Sequence, residues 1–195
     1  VILLVAILAG LLAGQARAWS GGRSLSSPSL RLVWLVPLAF LPQWLCFYLP
    51  ATRQLVADDL AAAALVGSQL FLLAFAWLNR RQAGFWALGL GLALNLLVIT
   101  LNGGLMPISP ETVAQLAPDA PPGTWQVGSR LGVGKDVVLP VAATCLSWLS
   151  DRFLLPAWLP RRVAFSLGDV FIAFGAFWLL WTLGGDRQQR TAAAD

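Results

Sequence analysis

Residues 60–78 read "LAAAALVGSQLFLLAFAWL" and residues 84–101 read "GFWALGLGLALNLLVITL", with only "NRRQA" (79–83) between them. A membrane-crossing helix needs roughly 20 mainly apolar residues, with a range of about 17–25. Both stretches meet that length, and neither contains an ionisable side chain. They are expected to be two successive spans joined by a short link that carries Arg80 and Arg81.

The composition of the whole chain agrees. Of its 195 residues, 58% are hydrophobic and 11% charged, and the mean hydropathy is +0.73. An average soluble domain carries roughly 25% charge and, at this size, buries only about 70% of its unfolded surface. The solvent that suits this composition is lipid. Three further spans are expected, at 1–18, 32–49 and 167–184. No positive stretch precedes the first, so it is read as a retained helix and not a signal peptide. Pro37 and Pro42 predict a kinked or locally unwound second span.

The expectation is an all-α membrane protein, a single integral membrane domain over 1–195 with about five transmembrane helices. A long external loop, 102–166, is expected to hold short interfacial helical segments. Within it, Ser109-Pro110-Glu111 has the pattern of an N-cap, a first helical residue and an acidic first turn. The piece 137–149 is broken by Pro140 and is read as interfacial or half-inserted, with a sixth span as the rival.

Arginine placement sets the orientation. With the N-terminus outside, the cytoplasmic segments carry Arg17, Arg23, Arg31, Arg80, Arg81, Arg187 and Arg190, and the short outer loop 50–59 carries only Arg53. This is a positive-inside bias. It implies a bacterial inner membrane location, with the loop 102–166 outside and the C-terminus in the cytoplasm. Arg161 and Arg162 run against it and suit the six-span rival. Trp34, Trp77 and Trp86 fall at the proposed cytoplasmic ends, as interfacial anchors do.

Several chemistries are excluded. The chain has no histidine, and its two cysteines, Cys46 and Cys145, are far apart, so histidine-ligated metals, Ser-His-Asp triads and CxxC centres are out. No disulfide is expected. "GVGK" at 132–135 fails the phosphate-loop pattern GxxxxGK[ST] at Ser129 and Asp136. No cofactor, metal or nucleic-acid partner is expected. The scarcity of intramembrane charge disfavours an ion-coupled transporter.

The remaining polar residues are candidate contacts. Asn95 and Asn102 share a face of the fourth span, and Asn95, the deeper, needs a partner: a neighbouring helix, or a bound lipid or quinone. Gly103 and Gly104 are suited to a positive-φ helix cap. Ser166 and Asp169 form a capping-box-like pair at the start of the last span. Asp151, Asp169 and Asn102 are the residues an enzyme at the outer interface would use. Small residues at spacing four, Ala6-Gly10-Gly14, Ala63-Gly67, Ala64-Ser68 and Ala87-Gly91, serve close helix packing, within the chain or against a partner subunit.

"LNLLVITLNGGLMPISPETV" (94–113), "LSD" (149–151) followed by Pro156, "FSLGDVFIAFG" (165–175) and the early "GGR" (21–23) resemble an uncharacterised bacterial family of small multi-pass membrane proteins, a domain of unknown function. At position 150 that pattern more often has glycine, where this chain has Ser150. The resemblance implies a five-helix membrane protein and no particular activity. The functional expectation is a non-catalytic accessory subunit packed against other integral membrane subunits of a larger bacterial complex, with respiratory or photosynthetic electron transfer, such as alternative complex III, as the setting. The alternative is a lipid- or quinone-binding protein, and behind it a membrane enzyme or transporter.

Overall fold

The computed structural model describes residues 1–121, 123–156 and 162–185, and helices account for most of them. They are α1 (Ile2–Ser20), α2 (Leu35–Gln43), α3 (Asp58–Leu78), α4 (Phe85–Leu101), α5 (Pro110–Leu116) and α6 (Leu167–Leu183). Among the described residues, α1 and α3 are long and apolar enough to cross a membrane. The run Leu35–Tyr48, α4 and α6 are shorter apolar helices.

The expected span 32–49 is helical only from Leu35 to Tyr48. Leu32 takes a positive φ of 51°, which keeps the first residues out of the helix. Pro42 lacks the N–H that would close one rung of the ladder, and the following turn, Trp44–Tyr48, widens into a π-helix. It closes with the Leu49 N–H on the Trp44 carbonyl at 2.8 Å. α3 begins two residues before its expected start, with Asp58 and Asp59 in its first turn, where the helix dipole favours negative charge.

The helices pack in the neighbour order α1–α6–α4–α3–α2. Small residues set the close approaches. A side chain on Gly14 would strike the Leu180 carbonyl, and one on Gly91 would strike the Gly168 carbonyl. The Gly10-Gly14 and Ala87-Gly91 stripes are therefore used inside the chain, to seat α6 between α1 and α4. Gly67 has open space before it.

The segment between α4 and α6 corrects the all-α expectation. β1 (Met106–Ile108) pairs in parallel with β2 (Asp136–Val138), and β3 (Phe153–Leu154) pairs antiparallel with β4 (Ala164–Phe165). The sixth span does not form. Residues 137–149 finish β2 and then make two 3₁₀ turns, Val141–Ala143 and Ser147–Leu149. The expected short helix is α5, with the Ser109 hydroxyl accepting from the Thr112 N–H and Pro110 at its first position. Ile108, Val113 and Val138 form a small core for this cap.

The two ends of the helices differ in charge. One end carries Arg17, Arg23, Arg31, Arg80 and Arg81. There the 21–34 link crosses the ends of α6 and α3, with the Ser26 N–H on the Leu183 carbonyl and the Arg31 N–H on Asn79 Oδ1. Every carboxylate among the described residues lies at the other end, with the cap. Arg161 and the tail with Arg187 and Arg190 fall outside the described residues.

Candidate functional site

β1 organises a polar centre where the cap meets α4 and α6. The Met106 N–H donates to the Lys135 carbonyl at 3.0 Å, and the Asp151 N–H donates to the Pro107 carbonyl at 3.1 Å. These two backbone bonds bring Lys135 and Asp151 side by side. Lys135 Nζ then donates to Asp151 Oδ2 at 2.6 Å and to Asp136 Oδ1 at 3.1 Å.

Burial is uneven across the centre. The Asp151 side chain is 2% exposed and the Lys135 side chain 38%. Lys135 forms the outer edge, and Asp151 lies beneath it. Asp151 Oδ1 is buried and has no hydrogen-bond partner among the described residues. An unsatisfied carboxylate oxygen costs on the order of 1–3 kcal/mol or more. Burial pushes the Asp151 carboxyl up, Lys135 pulls it back, and Asp136 and Asp169 push it up again, to about 7. Burial alone would lower the Lys135 ammonium, but Asp136, Asp151 and Asp169 outweigh it and the net shift is upward.

Asp169 joins the centre from the start of α6. Its Oδ2 accepts from the Ser166 N–H at 3.2 Å, and its own N–H donates to Ser166 Oγ at 3.1 Å, a complete capping box. Its Oδ1 accepts from Asn95 Nδ2 at 2.9 Å, and Asn95 Oδ1 accepts from Ser166 Oγ at 2.8 Å. Asn95, Ser166 and Asp169 thus form one closed network between α4 and α6. Both Asp169 oxygens are engaged, which leaves the spare acceptor on Asp151.

Asn102 works differently. Its amide donates to the Val98 and Cys145 carbonyls, and its Oδ1 accepts from the Cys145 N–H at 2.9 Å. It clamps the cap to the end of α4. Gly103 and Gly104 follow at φ 84° and 88°, and the Gly104 N–H closes the helix on the Ile99 carbonyl. Ser150 lies at φ −67°, an ordinary conformation for a serine, so glycine is not required there.

Two residues of the site went unread in the sequence. Lys135 ends the rejected "GVGK", and its one signal is that it is the only lysine in the chain. The carbonyls of Val133 and Gly134 in that turn accept from the Arg130 guanidinium. Arg130 also reaches the Cys46 carbonyl and Asp58, and so ties the cap to the π-helical turn after α2 and to α3. Among the described residues, no group of three or more His, Cys, Asp or Glu could hold a metal ion.

A family model described as a family of unknown function, DUF5317, matches residues 28–181. The chain belongs to the DUF5317 family. No curated protein and no solved structure matches it. In this DUF5317 chain the matched region takes in the whole centre, from Asn95 to Asp169.

The network makes a graded prediction. Asp169→Ala should cost about 0.5–2 kcal/mol, the usual loss of a capping acceptor. Asp169→Asn should fall between wild type and alanine. Asparagine keeps one acceptor oxygen, but its amide group then faces a donor, either Asn95 Nδ2 or the Ser166 N–H. Thermal unfolding of both variants in detergent checks the order, and an asparagine variant as stable as wild type would contradict it.

Proposed function

We propose that this chain is a multi-pass integral membrane protein that presents an acid–base centre at the outer membrane boundary. Asp151 is its proton-exchanging group and Lys135 its electrostatic partner. The observation that carries this reading is the buried Asp151 Oδ1, without a hydrogen-bond partner among the described residues, beside a Lys135 side chain that is 38% exposed. A carboxyl that exchanges its proton near neutral pH suits general acid–base catalysis. The ammonium beside it would stabilise negative charge as it develops on a substrate. Asn95, Ser166 and Asp169 are positioning residues that hold α4 and α6 around the centre. This favours the membrane-enzyme alternative, with a substrate that reaches the site along the outer face.

The membrane part of the reading rests on two features. Large apolar side chains are exposed along α1, α3 and α4, among them Leu4, Leu12, Leu60 and Trp86. Arg17, Arg23, Arg31, Arg80 and Arg81 lie at the end opposite the cap, whereas the short link 49–57 at the cap end carries only Arg53, the asymmetry that the positive-inside rule gives a cytoplasmic face. The proposed topology has five spans with the N-terminus and cap outside. The wild-type cysteines test it: Cys145 is exposed in the cap, and Cys46 is buried. A membrane-impermeant maleimide applied to intact cells should label Cys145 and leave Cys46 unlabelled. Labelling of Cys145 only after permeabilisation would reverse the orientation.

The accessory-subunit reading keeps one supporting observation. α1 packs mainly on α6 and leaves Leu4, Leu8 and Leu12 exposed, a face that another subunit could cover. The acid–base reading is tested by isotope-edited infrared titration. A protonated-carboxyl band that titrates near neutral pH and vanishes in Asp151→Asn is the expected result. A band unchanged by that substitution would remove Asp151 from the role.

A further inference from the structure

At the arginine-bearing end, an apolar cavity of about 540 Å³ runs along α3 and α4. Leu70, Leu73, Ala74, Leu90 and Ala93 line it, and Gly89 and Ala76 leave it room. Its mouth is formed by Trp77 and Trp86, which meet edge to face with ring centroids 6.3 Å apart. Arg80 closes the end. Its guanidinium lies 4.4 Å from the Trp77 ring centroid and donates to the Trp77 carbonyl at 3.0 Å, so its position is held.

Two further cavities, of about 510 and 590 Å³, adjoin the same corner, and Arg80, Arg81 and Gln82 line both. Arg31 lines the first. No carboxylate among the described residues lies at this end to neutralise them. An apolar slot that ends at the held Arg80 guanidinium, with Arg81 in the adjoining cavities and no carboxylate among the described residues at that end, is complementary to an acyl chain that ends in a phosphate.

We infer that the α3–α4 groove binds an anionic glycerophospholipid, with one acyl chain along Leu70–Ala93 and the phosphate on Arg80 and Arg81. The inference rests on the membrane reading but not on the Asp151 centre, and it fails or stands separately from that centre. A zwitterionic lipid of the same chains would fill the groove equally well but would bring its own cation to the arginines. The discrimination therefore comes from the headgroup, and the retention from the groove.

Native mass spectrometry of the detergent-purified full chain tests this, with added phosphatidylglycerol or phosphatidylcholine of identical acyl chains. Wild type should retain phosphatidylglycerol in preference. Arg80→Gln and Arg81→Gln should each weaken that retention roughly fivefold, the scale of one arginine at an anionic surface. Ala74→Trp, which fills the groove, should lower retention of both lipids. A thermal melt without added lipid shows that each variant is folded. Equal retention of the two lipids by wild type overturns the inference, and so does phosphatidylglycerol retention that survives both arginine substitutions. Retention unchanged by Ala74→Trp overturns the groove as the seat of the chain.

Discussion

Lys135→Met is expected to be the most destabilising single change at the polar centre, and to be so only in alkaline conditions. It leaves Asp151 buried beside Asp136 and Asp169 with no counter-charge. Breaking a buried ion pair from one side costs about 3–5 kcal/mol. Lys135 is more than a third exposed, so the lower end of that range applies. The pH dependence follows from the raised Asp151 carboxyl. A carboxyl shifted up on folding contributes stability that is fully present below its unfolded value and is lost as pH rises through its folded value. Below about pH 7 the folded-state Asp151 carboxyl is protonated and neutral, and the loss of the lysine costs little. Above about pH 7 the wild-type carboxyl ionises beside Lys135, whereas without that ammonium the variant's carboxyl keeps its proton to higher pH, so the loss relative to wild type grows as pH rises. Denaturation at about pH 5 and about pH 9 should show a small difference from wild type at the first and a large one at the second. Equal destabilisation at both would mean that Lys135 acts through packing alone.

Gly168→Ala is expected to have a comparable effect without the pH dependence. A methyl group there would meet Asn95 Oδ1 and the Gly91 carbonyl. Neither can retreat, because one belongs to the α4 backbone and the other is held by Ser166 Oγ. Overpacking a tight site costs about 1–3 kcal/mol. Displacing Asn95 also breaks its bonds to Ser166 and Asp169, at roughly 1 kcal/mol each. The sum is about 3–5 kcal/mol. Gly67→Ala on α3 is the control, because its side chain would enter open space, and it should change little. Thermal unfolding of the pair checks the contrast, and similar losses in both would refute close α4–α6 contact at Gly168.

The readable parts of this molecule are those whose cause lies within a few residues. Ser166 and Asp169 are three apart, so the capping box is visible as a local pattern. Gly103-Gly104 before Pro107 marks a helix end for the same reason, and Ser109-Pro110-Glu111 marks a helix start. Long apolar runs locate α3, α4 and α6 within two residues at each end. Asn95 is readable as a group in need of a partner, but its partners are more than seventy positions away and nothing local names them. Lys135 and Asp151 are hidden for a related reason. Each is placed by a backbone bond to β1, a three-residue strand too short to leave a periodic signal. The small-residue stripes announce close packing without saying against what. Only the assembled helix order turns Gly10 and Gly14 toward α6 and Gly91 toward Gly168.

That helix order bears on biosynthesis. α1 leaves the ribosome well before its neighbour α6, with about 150 residues between them. At 5–20 residues per second, synthesis separates them by roughly seven to thirty seconds. Through that interval the glycine face of α1 has no mate within its own chain, and α4 lacks the helix that supplies Ser166 and Asp169. Chains truncated before Leu167 should be bound by chaperones or degraded, with α1 adrift. Completion of α6 would then be the event that docks α1, closes the Asn95 network and completes the polar centre in one late step.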